Sequence, residues 1–472
     1  MEQVEQVSES VGARKVVIMA KASLSSQPAA EEPDEGNRVD RLERALGVFG
    51  ATMMGLCAIV GTGVFVSIGV SAGIAGPAVL IAIALAAGVA TCNALSSAQL
   101  AANHPVSGGT YEYGYRYLNP ALGFTAGWMF LCAKSASAAT AALGFAGYLL
   151  NTLGFSTSSR LTLTSVAMAA IIVLTWLVLS GMRRSNLTNV AIVSITLLSL
   201  LCFVLVGLPV AWSEGSANLT CFEMTEAADS FWPALLQATA LMFVAYTGYG
   251  RIATLGEEVR EPRKTIPKAI VATLGVSMVF YIAVGAVAIA AVGASTLGSV
   301  TQQQVAPLEL AASRFPWSGV RWIVAIGALT AMLGVLLNLI LGLSRVLLAM
   351  GRRADMPVAV SRLNQAQTTP YVAVIVVGLV VLGLALIGNV KTTWSFSAFT
   401  VLIYYAITNV AALVLLPEQR LYPRWIAAIG LAACLFLAFW VQWHIWVIGL
   451  GLIGLGLVWL ALRRHAVRRI DS

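Results

Sequence analysis

Residues 46–70 read LGVFGATMMGLCAIVGTGVFVSIGV, an apolar stretch long enough to cross a bilayer but interrupted near its middle by Gly61-Thr62-Gly63. A helix in lipid must satisfy its own backbone, so a break at that depth is tolerated only where it lines a cavity. A second apolar stretch, residues 231–254, carries FVAYTGYG at 243–250 and runs into the polar segment GEEVREPRKTIPKAI at 256–270. The two stretches start 185 residues apart, and the same offset carries Gly61 to position 246, inside the second break. Glycine-interrupted spans at corresponding positions of two halves point to the substrate site of a carrier.

The rest of the chain extends this pattern. Of its 472 residues 58% are hydrophobic and 11% are charged, with mean hydropathy +0.84, against about 25% charge in an ordinary soluble domain. Twelve candidate spans follow: 46–70, 77–101, 120–150, 162–180, 188–210, 231–254, 267–292, 320–350, 370–388, 392–416, 423–441 and 444–462. The expected fold is an all-α polytopic membrane protein with 12 transmembrane helices. Setting Lys134 aside, Lys and Arg divide 24 to 4 between alternate sides, the poor side holding only Arg160, Arg314, Arg321 and Lys391. The positive-inside rule then puts both termini in the cytoplasm, as expected of a cell (plasma or bacterial inner) membrane protein. The alternation assigns the +8 net charge to topology rather than to nucleic acid, and makes the lipid bilayer the chain's partner.

The spans predict two halves of five, 46–210 and 231–416, joined by an external loop at 211–230. An odd repeat inverts its second copy, which is the LeuT-type five-plus-five arrangement. Residues 417–462 add two helices, and 463–472 form a basic cytoplasmic tail. Residues 1–45, rich in Ser, Gln, Glu and Pro, read as a disordered cytoplasmic tail, with no apolar core of a cleavable signal ahead of the first span. His104 to Pro120, HPVSGGTYEYGYRYLNP, reads as a short re-entrant or interfacial turn. Pro262 and Pro267 are expected to set a turn between spans 6 and 7. Asn218-Leu219-Thr220 forms a glycosylation sequon.

The two breaks suggest a chemistry. Gly61, Thr62 and Gly63 would present amide donors and the N-terminus of a half-helix, which suit a carboxylate. Ala245, Tyr246, Thr247 and Gly248 would present carbonyls and a half-helix C-terminus, which suit an ammonium. One amino acid zwitterion bridges both. Close helix packing by small residues is the competing account of the glycines. Tyr246 and Tyr249 flank the second break, and Tyr249 is a gate candidate.

At these residues the chain resembles the amino acid–polyamine–organocation transporter superfamily. Val60-Gly61-Thr62-Gly63-Val64-Phe65 matches the family's I-G-x-G-I-F break. The A-E-L-A…P-x-x-G-G-x-Y pattern is met at 98–111, with Gln99 where Glu is usual. Phe243, Ala245, Tyr246, Gly248, Tyr249, Glu257, Glu258, Pro262, Ile266 and Pro267 follow the span 6 signature. Ser344, Arg345, Met350, Asp355 and Pro357 follow that of span 8. The resemblance implies secondary active transport of amino acids or related amines, with substrate held at the breaks of spans 1 and 6.

Lys134 lies 14 residues into span 3, about 21 Å from its start at 1.5 Å per residue. No Asp or Glu lies within an apolar span to pair with it. A charge there costs several kcal/mol unless it faces a polar cavity or gives up its proton. It is therefore a candidate for coupling or for the substrate side chain, against a structural role bonded to carbonyls. The family often has a Lys in span 5 where a proton replaces sodium; that position falls on Thr196 here. Proton coupling through Lys134 is the expectation, and sodium bound with help from Thr196, or amino acid exchange, is the alternative. Where the cationic-amino-acid branch tends to place acids, Ala133 and Gly250 stand, so a neutral or acidic amino acid is expected.

Asn93, Gln99, Asn338 and Asn409 read first as interhelical hydrogen-bonding groups. The six Cys and three His show no disulfide framework or metal spacing, and no cofactor is expected. A channel, the first alternative, wants an open pore, and saturable exchange of labelled substrate would argue against it. A membrane enzyme wants clustered His, Asp, Ser or Cys at depth, and the spans show no such cluster. A transporter-like amino acid sensor remains the alternative of another class.

Overall fold

With no water to bond to in the hydrocarbon, an apolar chain must pair its own N–H and C=O groups, and helix is the local solution. The computed structural model describes residues 46–104, 108–155, 159–181, 186–220, 230–253, 259–303, 306–364 and 369–470. Its helices are α1 Val48–Ile59, α2 Ile68–Ala75, α3 Val79–Asn103, α4 Thr110–Tyr117, α5 Pro120–Thr152, α6 Arg160–Leu179, α7 Asn186–Thr220, α8 Phe231–Tyr246 and α9 Gly250–Ala253. They continue with α10 Pro262–Val292, α11 Ala294–Gln303, α12 Pro307–Ala312, α13 Gly319–Arg352, α14 Tyr371–Ile387, α15 Val390–Val414, α16 Arg424–Ala438 and α17 Trp443–Ile470. Among the described residues eight helical stretches are long and apolar enough to cross a membrane, one of them the 56-residue stretch Val48–Asn103 that holds α1, α2 and α3. Tyr371–Ile387 and Arg424–Ala438 are shorter apolar helices.

Burial sorts these helices into centre and rim. The most apolar windows of α5 and α15 are 78% buried, while that of α17 is 22% buried. α5 packs against α13 and α15, α10 against α7 and α3, and α8 against α3 and α2. Large apolar side chains left uncovered, such as Trp176, Leu198, Leu379 and Trp443, lie on outer faces, as expected where lipid replaces water. A buried polar knot ties α16 inward: Asn409 Nδ2 donates to Asn93 Oδ1, and Asn93 Nδ2 donates to Cys434 Sγ over 3.1 Å. Ahead of α1, Leu46 forms an isolated parallel bridge with Val259, and the Arg260 amide donates to the Leu46 carbonyl over 2.9 Å.

Several boundaries differ from those expected. α7 continues to Thr220, through the first ten residues of the expected external loop. Hydropathy marks where lipid ends, and a helix can run on into water. On that extension Asn218 Nδ2 donates to the Ala290 carbonyl over 2.8 Å, which engages the sequon nitrogen in packing. The turn after span 2 contains helix α4. Pro262 and Pro267 do not make a turn: both lie in α10, Pro262 at its first turn, where a missing N–H costs nothing, and Pro267 further in. The tail 1–45, Arg183, Arg184, Cys221, Glu223, Glu226, Asp229, Glu257 and Glu258 lie outside the described residues.

Candidate functional site

The first break is short. α1 stops at Ile59, and Val60 turns extended with φ −81° and ψ 92°. Gly61 and Thr62 follow, and a five-residue π-helical segment, Gly63–Ser67, leads into α2. The Gly61 carbonyl accepts from the Val64 and Phe65 amides, each over 3.1 Å. No hydrogen bond from the Gly61 or Thr62 amide occurs among the described residues. The Thr62 hydroxyl is buried with no partner. This corner therefore keeps donors in reserve, as a carboxylate site requires.

The second break is tightened rather than unwound: α8 passes into a 3₁₀ turn, Thr247–Tyr249, and then into α9. Side chains already occupy several of its carbonyls. Thr247 Oγ1 donates to Val244 O (2.7 Å), Tyr405 Oη to Thr247 O (3.2 Å) and Trp394 Nε1 to Leu241 O (3.0 Å). The two breaks touch. A Cβ on Gly248 would strike the Ala58 carbonyl, and one on Gly63 would strike the Tyr281 hydroxyl and come within 2.9 Å of Ala245 Cβ.

Tyr281, on α10, binds the two breaks together. Its hydroxyl lies 2.9 Å from Ile59 O and 3.2 Å from Ala245 O, one donor shared between a carbonyl of each break. Nothing in the sequence reading singled it out, although a phenol deep within an apolar span raises the question that Lys134 raised. Tyr281→Phe leaves both buried carbonyls short of that donor, so a loss of about 1–3 kcal/mol is expected, read as a lowered Tm in a thermal melt of the detergent-solubilised protein.

Lys134 reaches the same place from α5. Its Nζ donates to Thr247 Oγ1 over 2.8 Å, and 9% of the residue is exposed. The ion pairs among the described residues are Lys264–Glu261, Arg321–Glu309 and Arg353–Glu112, none of which includes it. A cavity of about 30 Å³ is lined by Thr62, Gly63, Lys134, Ser137, Thr247 and Trp394, among others. A larger one of about 130 Å³ shares Ala58, Lys134, Thr247, Val335 and Leu339 with it. The larger follows α13 from Val335 to Ala349, about 21 Å at 1.5 Å per residue. Gly108, Arg251, Asn338 and Arg345 also line it, and no carboxylate among the described residues lines either cavity.

Of the residues expected at the site, Thr62, Gly63, Ala245, Thr247 and Lys134 line the smaller cavity, and Gly248 lines the larger. Gly61, Phe243, Tyr246 and Tyr249 stand behind these walls, all buried. Tyr249 packs on Tyr405 with ring centroids 5.2 Å apart. Thr196 lines neither cavity; its hydroxyl donates back to Ile192 O of its own helix. Among the described residues no group of His, Cys, Asp and Glu is arranged to hold a metal ion.

The model of the amino acid permease family matches residues 50–464. The chain belongs to that family. This permease is 38% identical over 441 residues to an uncharacterized transporter of Mycobacterium tuberculosis, covering 91% of this chain and 93% of that one. A branched-chain amino acid permease of Bacillus subtilis is 28% identical over 436 residues, covering 85% and 89%. Human cationic amino acid transporter 4 is 28% identical over 398 residues, covering 79% and 60%. With its apolar helices, family membership makes the chain a multi-pass integral membrane protein and an amino acid transporter rather than an enzyme.

Proposed function

We propose that this permease carries an amino acid with a neutral or acidic side chain, bound between the breaks of spans 1 and 6, and moves it by proton-coupled alternating access. The observation that carries the reading is the Lys134–Thr247 hydrogen bond at the junction of the two cavities. The reserve donors at Gly61 and Thr62 suit the substrate carboxylate. A fixed amine with no carboxylate among the described lining residues disfavours a cationic side chain, so the likeness to the branched-chain permease is the better guide than that to the cationic transporter. A sodium ion is bound through clustered oxygens. Here Gly61 faces Val335 and Ala331 on α13, and Thr196 turns to its own helix, so Lys134 is left as the coupling group.

The architecture proposed with this function is twelve crossings in a five-plus-five inverted repeat, 46–210 and 231–416, with two further helices at 417–462. Both termini lie in the cytoplasm of a cell membrane. The larger cavity then runs toward the basic C-terminal end of α13, and this conformation faces inward.

A panel of labelled amino acids in proteoliposomes, with proton and sodium gradients imposed separately, tests the reading. Saturable uptake of neutral or acidic amino acids driven by a proton gradient is expected. Uptake that needs sodium and ignores pH overturns the coupling, and uptake confined to lysine and arginine overturns the substrate class.

A further inference from the structure

Away from the cavities, the outer half of span 1 is covered. Ile68, Ser71 and Ala72 of α2 are at most 1% exposed. α2 meets α11 backbone to backbone: a Cβ on Gly73 would stand 2.7 Å from Gly298 Cα. Next along the chain, α12 is tied to the scaffold from two sides. The Leu308 amide donates to Tyr148 Oη (3.3 Å), and that hydroxyl donates to Phe65 O in the π-helical segment (2.9 Å). Glu309 is 1% exposed, with Arg321 Nε donating to Oε1 over 2.7 Å and the Thr152 hydroxyl 3.4 Å from Oε2. Arg321 also donates to Asn151 O over 3.2 Å, and its side chain is 41% exposed.

We propose that the Glu309–Arg321 pair is an outer lock. It seats α12, and with it α11, over the outer half of span 1 while the larger cavity is open, and it must part before the site can face outward. The physical reason is the asymmetry of the pair: one partner is half in water, the other is a buried carboxylate. A buried charge that loses its partner is left uncompensated, so α12 cannot stay seated once the guanidinium leaves. The inference rests on the transport reading and its topology.

Ser71→Cys supplies a reporter: Ser71 is buried and its hydroxyl has no partner, so the change removes no hydrogen bond. Its labelling by a membrane-impermeant maleimide is followed from outside the cell, against the same protein retaining Ser71. Arg321→Ala and Glu309→Gln should each raise the labelling rate roughly tenfold, equivalent to about 1.4 kcal/mol. Arg321→Lys, which keeps the charge, should stay nearer the parent. An unchanged rate in both Arg321→Ala and Glu309→Gln overturns the lock. If Arg321→Ala does not reach the membrane, the near-isosteric Glu309→Gln decides alone. Uptake by the unsubstituted protein separates the two ideas. Faster labelling of the variants without uptake of any amino acid overturns the transport reading and supports the lock. Normal uptake with unchanged labelling overturns the lock alone.

Discussion

Lys134→Met is expected to give a permease that melts at a higher temperature and no longer concentrates substrate on a proton gradient. The two effects have one cause. A buried amine with a single hydroxyl partner is an expensive group at bilayer depth. Methionine fills similar space without that cost, and Thr247 is not orphaned because its hydroxyl still donates to Val244 O. Stability should therefore rise. Function should fall, because a hydrogen bond to a charged group contributes about 1.5–3 kcal/mol, roughly ten- to hundredfold in rate or affinity. The measurement is a thermal melt beside proton-driven uptake in proteoliposomes. Equal loss for every substrate assigns Lys134 to coupling, and loss confined to acidic substrates assigns it to the side-chain subsite. A less stable variant with normal accumulation would falsify both roles and leave Lys134 structural.

Gly248→Ala should stop transport for a different reason. The added methyl would meet the Ala58 carbonyl, with the Ala58 carbonyl carbon at 2.5 Å and Ile59 Cγ1 at 2.6 Å. Backbone cannot swing aside as a long side chain does, so spans 1 and 6 must separate. Overpacking of this kind costs about 1–3 kcal/mol, and separation also disturbs the Tyr281 hydroxyl that the two breaks share. Gly88→Ala in α3 is the control. Its Cβ meets nothing within 4 Å, and alanine is the better helix former, so uptake should be unchanged. Equal uptake by the two variants would show that the breaks do not need their close approach.

The helices and the two breaks were legible because both are written locally: long apolar runs, and glycines within them. Lys134 was legible because a lone charge in such a run is conspicuous. Its partner was not, since Thr247 stands 113 residues away and no spacing reports which faces meet. Thr196 illustrates the same limit: position in a span says nothing of whether a hydroxyl faces the cavity or its own helix. Tyr281 was passed over because aromatic residues are ordinary in membrane helices, and only its two carbonyl partners set it apart. Glu309 was missed because it lies in a connecting segment between spans, and its burial comes from α12 docking beside Thr152 of α5 and Arg321 of α13.

The bridge between Leu46 and Val259 joins the chain just before the first broken helix to the chain just after the second. Both helices thus share one handle at the same end of the molecule. A binding partner that pulled on the residues ahead of Leu46 would load both broken helices at once, by way of this bridge and its amide–carbonyl bond from Arg260.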